Sequence, residues 1–227
     1  MMAPQSTASA APDESEPTVR IRDADGEADA WYLQRQWHHW FGVAYESQTQ
    51  LSLDLFDIAG WTPGEDVDGA PLESYGVIAE HVADGRRVRI GGGVALLIDH
   101  ATATEELAPG SFNTEVLASE PSAFFLLGVV DSAWRGRGIG GRLFDRRLRW
   151  AAESDAKMAF SYGWERAGPS SRPLFQSRGW EPVETVESMY VETERPACPD
   201  CGVWPHDERD CQCDATIWAR DVTEVDL

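Results

Sequence analysis

Val129-Val130-Asp131-Ser132-Ala133-Trp134-Arg135-Gly136-Arg137-Gly138-Ile139-Gly140-Gly141-Arg142-Leu143-Phe144 closes an apolar run, crosses a loop with four glycines and opens a new periodic stretch. The run at 124–130 has the length and composition of a buried strand. The glycines after it permit a tight turn and a close backbone approach to a ligand. Helix-starting N–H groups at Gly138 to Gly141 would point their partial positive charge at an anion. The charges agree: Arg135, Arg137, Arg142, Arg146, Arg147 and Arg149 meet one acid, Asp145, a local excess of +5 in a chain of net charge −20. The segment reads as a pyrophosphate cradle formed by Arg135, Gly136, Arg137, Gly138, Ile139, Gly140, Gly141 and Arg142. A plain βα turn with a solvated arginine face is the competing reading. A dinucleotide site is disfavoured, because Gly136-x-Gly138-x-Gly140 lacks the G-x-G-x-x-G spacing and no βαβ array surrounds it.

The spacing Arg135-x-x-Gly138-x-Gly140 resembles the acyl-CoA signature of the GNAT superfamily of N-acetyltransferases, R/Q-x-x-G-x-G/A. Val130-Asp131 matches the V-D-P lead-in, Trp134 stands where the family often has Tyr, and Leu174-Phe175-Gln176-Ser177-Arg178-Gly179-Trp180 matches the later L-Y-x-x-x-G-F block. The resemblance implies an α/β (α+β) fold with a mixed central sheet flanked by helices, spanning residues 18–222.

A pass along the chain agrees with that order. Residues 1–17 are rich in Ala, Ser, Pro and acid without apolar periodicity and are expected to form a disordered acidic tail. Strands are expected at 19–22, 75–82, 88–99, 124–130, 157–162, 184–191 and 215–219, and helices at 24–41, 48–58, after 138 and after Ser170 or Ser171. Asp84-Gly85 marks a hairpin turn, and 101–121 reads as a long polar loop. No apolar run approaches the ~18 residues of a membrane span, and Met1 is followed by no signal-peptide pattern. A cytoplasmic protein is the expectation.

Asp and Glu number 39 against 19 Lys and Arg, and Lys157 is the single lysine. The acids are spread along the chain. Such a surface resembles proteins of high-salt, halophilic cytoplasm, where screening tolerates self-repulsion; an acidic face for a basic partner is the alternative. Either argues against nucleic acid, whose backbone is bound by Lys and Arg.

All four cysteines, Cys198, Cys201, Cys211 and Cys213, fall between the last two expected strands. Cys198-Pro199-Asp200-Cys201-Gly202 has the form of a zinc knuckle, and Cys211 and Cys213 can complete a tetrahedral thiolate shell. A structural Zn2+ clip over 196–214 is expected, with disulfides or redox thiols as alternatives.

The resemblance further implies a ternary complex in which an amine, on a small molecule or a protein, attacks acetyl-CoA directly. The strand ending at Val129-Val130 would offer backbone groups to the pantetheine and an N–H to the developing oxyanion. Many members use a Tyr to protonate the leaving thiolate where this chain has Phe175. Tyr162, Ser161 or Ser171 are candidates to replace it, or solvent suffices for a thiol of pKa about 8.5. Glu80 and Glu165 are candidate bases near strand ends, as are Asp99, Glu115, His81 and His100; each is also readable as an ordinary surface group. The alternative function is a catalytically weak CoA-binding, zinc-stabilised interaction module.

Overall fold

The computed structural model describes residues 18–41, 72–99, 121–165, 170–187 and 213–223. In chain order these form β1 (Thr18–Asp23), α1 (Glu27–Phe41), β2 (Glu73–Ala83), β3 (Arg86–Ile98), β4 (Ser122–Val130), a single 3₁₀ turn (Ser132–Trp134), α2 (Ile139–Glu153), β5 (Met158–Glu165), α3 (Arg172–Gln176), β6 (Glu181–Val186) and β7 (Asp214–Asp221). The expected helix at 48–58, the acidic tail and the expected loop at 101–121 up to residue 120 lie outside the described residues.

The strands make one seven-stranded sheet in the order β1-β2-β3-β4-β5-β7-β6. Every neighbouring pair is antiparallel except β4 and β5. The β2–β3 hairpin turns at Asp84 and Gly85, whose φ values of 49° and 69° suit the primed turns that match strand twist.

Each sheet face carries a helix. On one face Tyr32, Leu33 and Trp37 of α1 pack on Ile78, Val94, Leu96, Phe124, Leu127, Val129 and Phe160. The other face meets α2: Phe144, Leu148, Trp150 and Ala151 join Ala95, Phe125, Ala159, Phe175, Trp180 and Trp218, while Ile139 and Leu143 join Val77, Ala79 and Ile90. Residues 139, 143, 144, 147, 148 and 151 recur at helical spacing and are all buried. Edge-to-face and stacked rings hold the centre of this layer, including Phe144 on Phe175 and Phe175 on Trp218.

The N-terminus of α1 is fastened by a charged cluster. Asp29, fully buried, accepts hydrogen bonds from Arg22, from Arg89 at 2.6 Å and from the Asp25 N–H at 2.8 Å. Burial works to raise the Asp29 carboxyl, but these donors win and hold it below the usual carboxylate range.

Candidate functional site

Strand β4 forks away from β5. The two pair in parallel only at Ser122↔Met158, Ala123↔Ala159 and Phe124↔Phe160, although β4 continues to Val130 and β5 to Glu165. A bulge sits where the fork opens: the β3–β4 register passes from Leu96↔Phe124 to Val94↔Leu127, so Ala95 faces both Phe125 and Leu126. The extra residue resets the alternation, and the consecutive Leu126 and Leu127 both pack towards α1. In the crotch the Ser161 hydroxyl donates to the Phe125 carbonyl at 2.8 Å, closing a gap the ladder leaves.

Ladder parity decides which β4 groups face the fork. The Asp131 N–H donates to the Ile90 carbonyl at 2.9 Å, which makes 90 and 131 a hydrogen-bonded pair. Counting by twos in that register, Val129 and Leu127 spend their peptide groups on β3, whereas Gly128 and Val130 turn theirs to the side where β5 has departed. Two observations agree. Gly128 is exposed in the middle of an interior strand, between buried Leu127 and Val129. The Val130 carbonyl accepts from Arg135 Nε at 2.9 Å, a partner outside the β3 ladder. Sequence reading singled out Val129 and Val130; the register adds Gly128 and turns the Val129 peptide groups inward.

Beyond Val130 the chain makes the 3₁₀ turn and enters α2 through Gly138, whose φ of 74° is left-handed and a cost for any side chain. The first α-helical bond runs from the Arg142 N–H to the Gly138 carbonyl. No hydrogen bond among the described residues takes up the N–H groups of Ile139, Gly140 or Gly141. A Cβ built on Gly136 or Gly138 meets nothing within 4 Å, so the surface over this loop is open.

The six arginines split three ways. Arg135 and Arg137 stay at the loop, exposed, with Arg137 lying 4.8 Å from the Trp134 ring centroid. Arg142, Arg146 and Arg149 turn towards β1, where with Arg20, Arg22, Asp23 and Asp145 they line a groove of about 510 Å3. There Arg142 donates to the Val19 carbonyl and Arg146 to Asp23 and Tyr75. Arg147 is buried under the sheet.

The candidate acid–base residues are dispersed. Tyr162 stands on the diverging arm of β5, two residues past the last β4 pair, half-buried on the α1 face and edge-on to Phe124. Glu165 ends the same arm; its side chain lies outside the described set. Glu80 is not at the fork. It sits two strands away on β2, where its Oε1 accepts from Arg22 at 2.6 Å and that pairing holds the carboxyl below its ordinary range, which weakens it as a base. Phe175 is buried on the α2 face among Phe144, Trp180 and Trp218. Sequence reading missed Tyr32: its buried hydroxyl finds no partner among the described residues, and it shares the α1-side cluster with Val129. Burial, then the Asp131 charge, keep this phenol protonated.

Cys198, Cys201 and Cys211 lie outside the described residues. Cys213 directly precedes β7 and is half-buried. Among the described residues no group of three or more His, Cys, Asp or Glu converges as a metal site, and no helix is long and apolar enough to cross a membrane.

No protein-family model and no curated protein matches the sequence. Solved structures do match over most of its length. Arabidopsis thaliana NAA60, solved with a bisubstrate analogue, has a TM-score of 0.59 and 14% identity, covering 90% of this chain and 98% of that one. Mosquito arylalkylamine N-acetyltransferase like 5b gives 0.56 and 13%, over 90% and 100%. The Escherichia coli ribosomal-protein-S18-alanine N-acetyltransferase gives 0.52 and 10%, over 92% and 97%. At such identities the likeness shows the fold: this chain has the fold of the GNAT acetyltransferases.

Proposed function

We propose that this protein is an acetyl-CoA-dependent N-acetyltransferase that brings acetyl-CoA and an amine together at the β4–β5 fork. The observation that carries the reading is the edge of β4 at Gly128 and Val130, unpaired by β5, continuous with a helix N-terminus whose first N–H groups meet no acceptor among the described residues. An acyl thioester on a long amide-bearing arm ending in a pyrophosphate fits that sequence of groups. The arm adds to the strand edge as an extra half-ladder, and the pyrophosphate meets the N–H groups of Ile139, Gly140 and Gly141 with Arg135 and Arg137 beside them.

In this reading the Gly128 N–H donates to the thioester carbonyl as its oxygen gains charge, an arrangement worth a few kcal/mol in water-poor surroundings. The amine nitrogen attacks the carbonyl carbon, the C–S bond breaks, and the amine proton passes to a base or to water. The β5 arm carries Tyr162, the candidate to protonate the departing thiolate with solvent as the alternative donor, and ends at Glu165, the candidate base. Glu80 is left out, since its carboxylate is committed to Arg22. Arg142 is a marginal phosphate ligand, because it turns to Val19.

Two of the fold-mates above are named for an arylalkylamine and for the alanine of a ribosomal protein, which supports an amine as the acceptor here; the acidic composition favours a cationic one. The four cysteines, confined to 16 residues ending at the start of β7, support a structural Zn2+ that would clamp the chain between β6 and β7. The dispersed acid supports a cytoplasm of high salt as its setting.

The test is acetyl-CoA turnover, read as free thiol release, against a panel of small amines and peptides in molar salt. Release that depends on one amine class supports the reading. Binding of acetyl-CoA without turnover on any amine transfers the assignment to a CoA-binding interaction module. For the metal, elemental analysis after purification under reducing conditions without chelator should find one zinc per chain; finding none, with a disulfide by mass, rejects it.

A further inference from the structure

Arg147 is the least expected residue in the core. It projects from the middle of α2 into the sheet and is 4% exposed, and no carboxylate among the described residues pairs with it. Burial lowers its proton affinity, but a guanidinium remains charged at neutral pH. An unpaired buried cation is costly, so the site has to return something for it.

The chain makes room for it at two glycines. Gly93 on β3 and Gly128 on β4 are register partners. A Cβ on Gly93 would come within 2.9 Å of Arg147 Nε, and one on Gly128 within 3.0 Å of Nη2. The notch they leave admits the guanidinium, whose Cζ lies over the Phe125 ring at 4.7 Å from its centroid. There Nη1 donates to the Leu127 carbonyl at 2.7 Å and to the Val94 carbonyl at 3.3 Å. Val94↔Leu127 is the first regular pair after the bulge. The cation therefore pins the strand where the fork begins.

The Leu127 carbonyl and the Gly128 N–H belong to one peptide unit and point in opposite directions. A charged donor on that carbonyl draws density from the nitrogen and strengthens the N–H as a donor, in the way hydrogen-bonded chains reinforce one another. We propose that Arg147 is a positioning residue for acetyl transfer: it clamps and polarises the Leu127–Gly128 peptide so that the Gly128 N–H is held, charge-enriched, at the open edge of β4. This rests on the proposed acetyl-CoA reading.

The experiment is infrared difference spectroscopy of acetyl-CoA carrying a 13C label at the thioester carbonyl, bound to the full chain, with titration calorimetry of acetyl-CoA and CoA alongside. In the unsubstituted protein the carbonyl band should lie below its position in free acetyl-CoA. Arg147→Met fills the notch without charge; it should return the band most of the way to the free value while CoA affinity changes less than about threefold, and lower turnover on any accepted amine by about 10- to 100-fold, somewhat less than loss of a whole oxyanion donor. Should Arg147→Met fail to fold, Arg147→Lys carries the test, since a point charge with one usable donor should give an intermediate band. A band in either variant identical to that of the unsubstituted protein overturns the proposal and leaves the acetyl-CoA reading standing. Absence of acetyl-CoA binding to the unsubstituted protein overturns both.

Discussion

At the N-terminus of α2, Arg135 and Arg137 are exposed; the first donates to the Val130 carbonyl and the second lies over the Trp134 ring. Two turns along the same helix Arg147 is sealed under the sheet, and its partners are carbonyls of the protein itself. The two sites share one charge and one segment, yet the first faces solvent, where the proposed function puts a pyrophosphate, while the second binds carbonyls of β3 and β4. Charge density along a sequence cannot separate them. What separates them is helical phase: Arg147 shares the buried stripe with Leu143, Phe144, Leu148 and Ala151, whereas Arg135 and Arg137 precede the helix.

The contrast is broken most sharply at the loop. Gly138→Asp places a side chain on a left-handed φ of 74° and an anion at the helix N-terminus. Together these should weaken acetyl-CoA binding on the order of 100-fold by calorimetry, at one decade per ~1.4 kcal/mol, with a fall in melting temperature of only about 2–4 °C per kcal/mol of strain. The notch should respond in the opposite sense. Gly93→Val forces atoms against the Arg147 guanidinium and the Leu127 carbonyl, and overpacking of that kind costs about 1–3 kcal/mol in denaturant unfolding. Unchanged stability there would show that the guanidinium moves freely and pins nothing.

A second charged cluster sharpens the comparison, because it is built as the notch is not, with acids. Asp29→Asn should destabilise by about 2–3 kcal/mol, below the range for a fully buried pair since Arg22 and Arg89 are partly exposed. The sign with pH follows from the depressed carboxyl. The Asp29 contribution is present above the unfolded carboxylate pKa of about 3.9 and is lost as pH falls through the lower folded value. The stability gap between Asp29→Asn and the unsubstituted protein should therefore narrow below about pH 4, and a gap that widens on acidification would contradict the network. The smallest effect belongs to the crotch: Ser161→Ala leaves the Phe125 carbonyl without its side-chain donor and should cost about 1 kcal/mol, visible in unfolding and nearly silent in binding.

Much of this was readable from composition and spacing. The run ending at Val130, the glycines and the periodic stretch from Ile139 place β4, the loop and α2 within a few residues of where they stand, because each is a local pattern. The Asp84-Gly85 hairpin and α1 were legible for the same reason. The fork's chemistry was not. Which β4 peptides face outward depends on register with β3 and on a bulge at Phe125–Leu126, and a continuous apolar run carries no mark of either. Gly128 carries no mark within its apolar run, and Arg147 counts in the sequence with the other arginines of the basic segment; only the register partner Gly93 on a different strand gives the space its meaning. Glu80 drew notice as an acid near a strand end, when its partners Arg22 and, through it, Asp29 come from other elements.

The exposed edge of β4 is where the proposed function places acetyl-CoA, and amide-resolved NMR reads that edge one residue at a time. On saturation of the 15N-labelled protein with acetyl-CoA, the amide signals of Gly128, Val130, Ile139, Gly140 and Gly141 should shift strongly, while those of β1 at Thr18–Asp23 stay in place. Shifts confined to the arginine-lined groove beside β1, or no shifts at all, would contradict it.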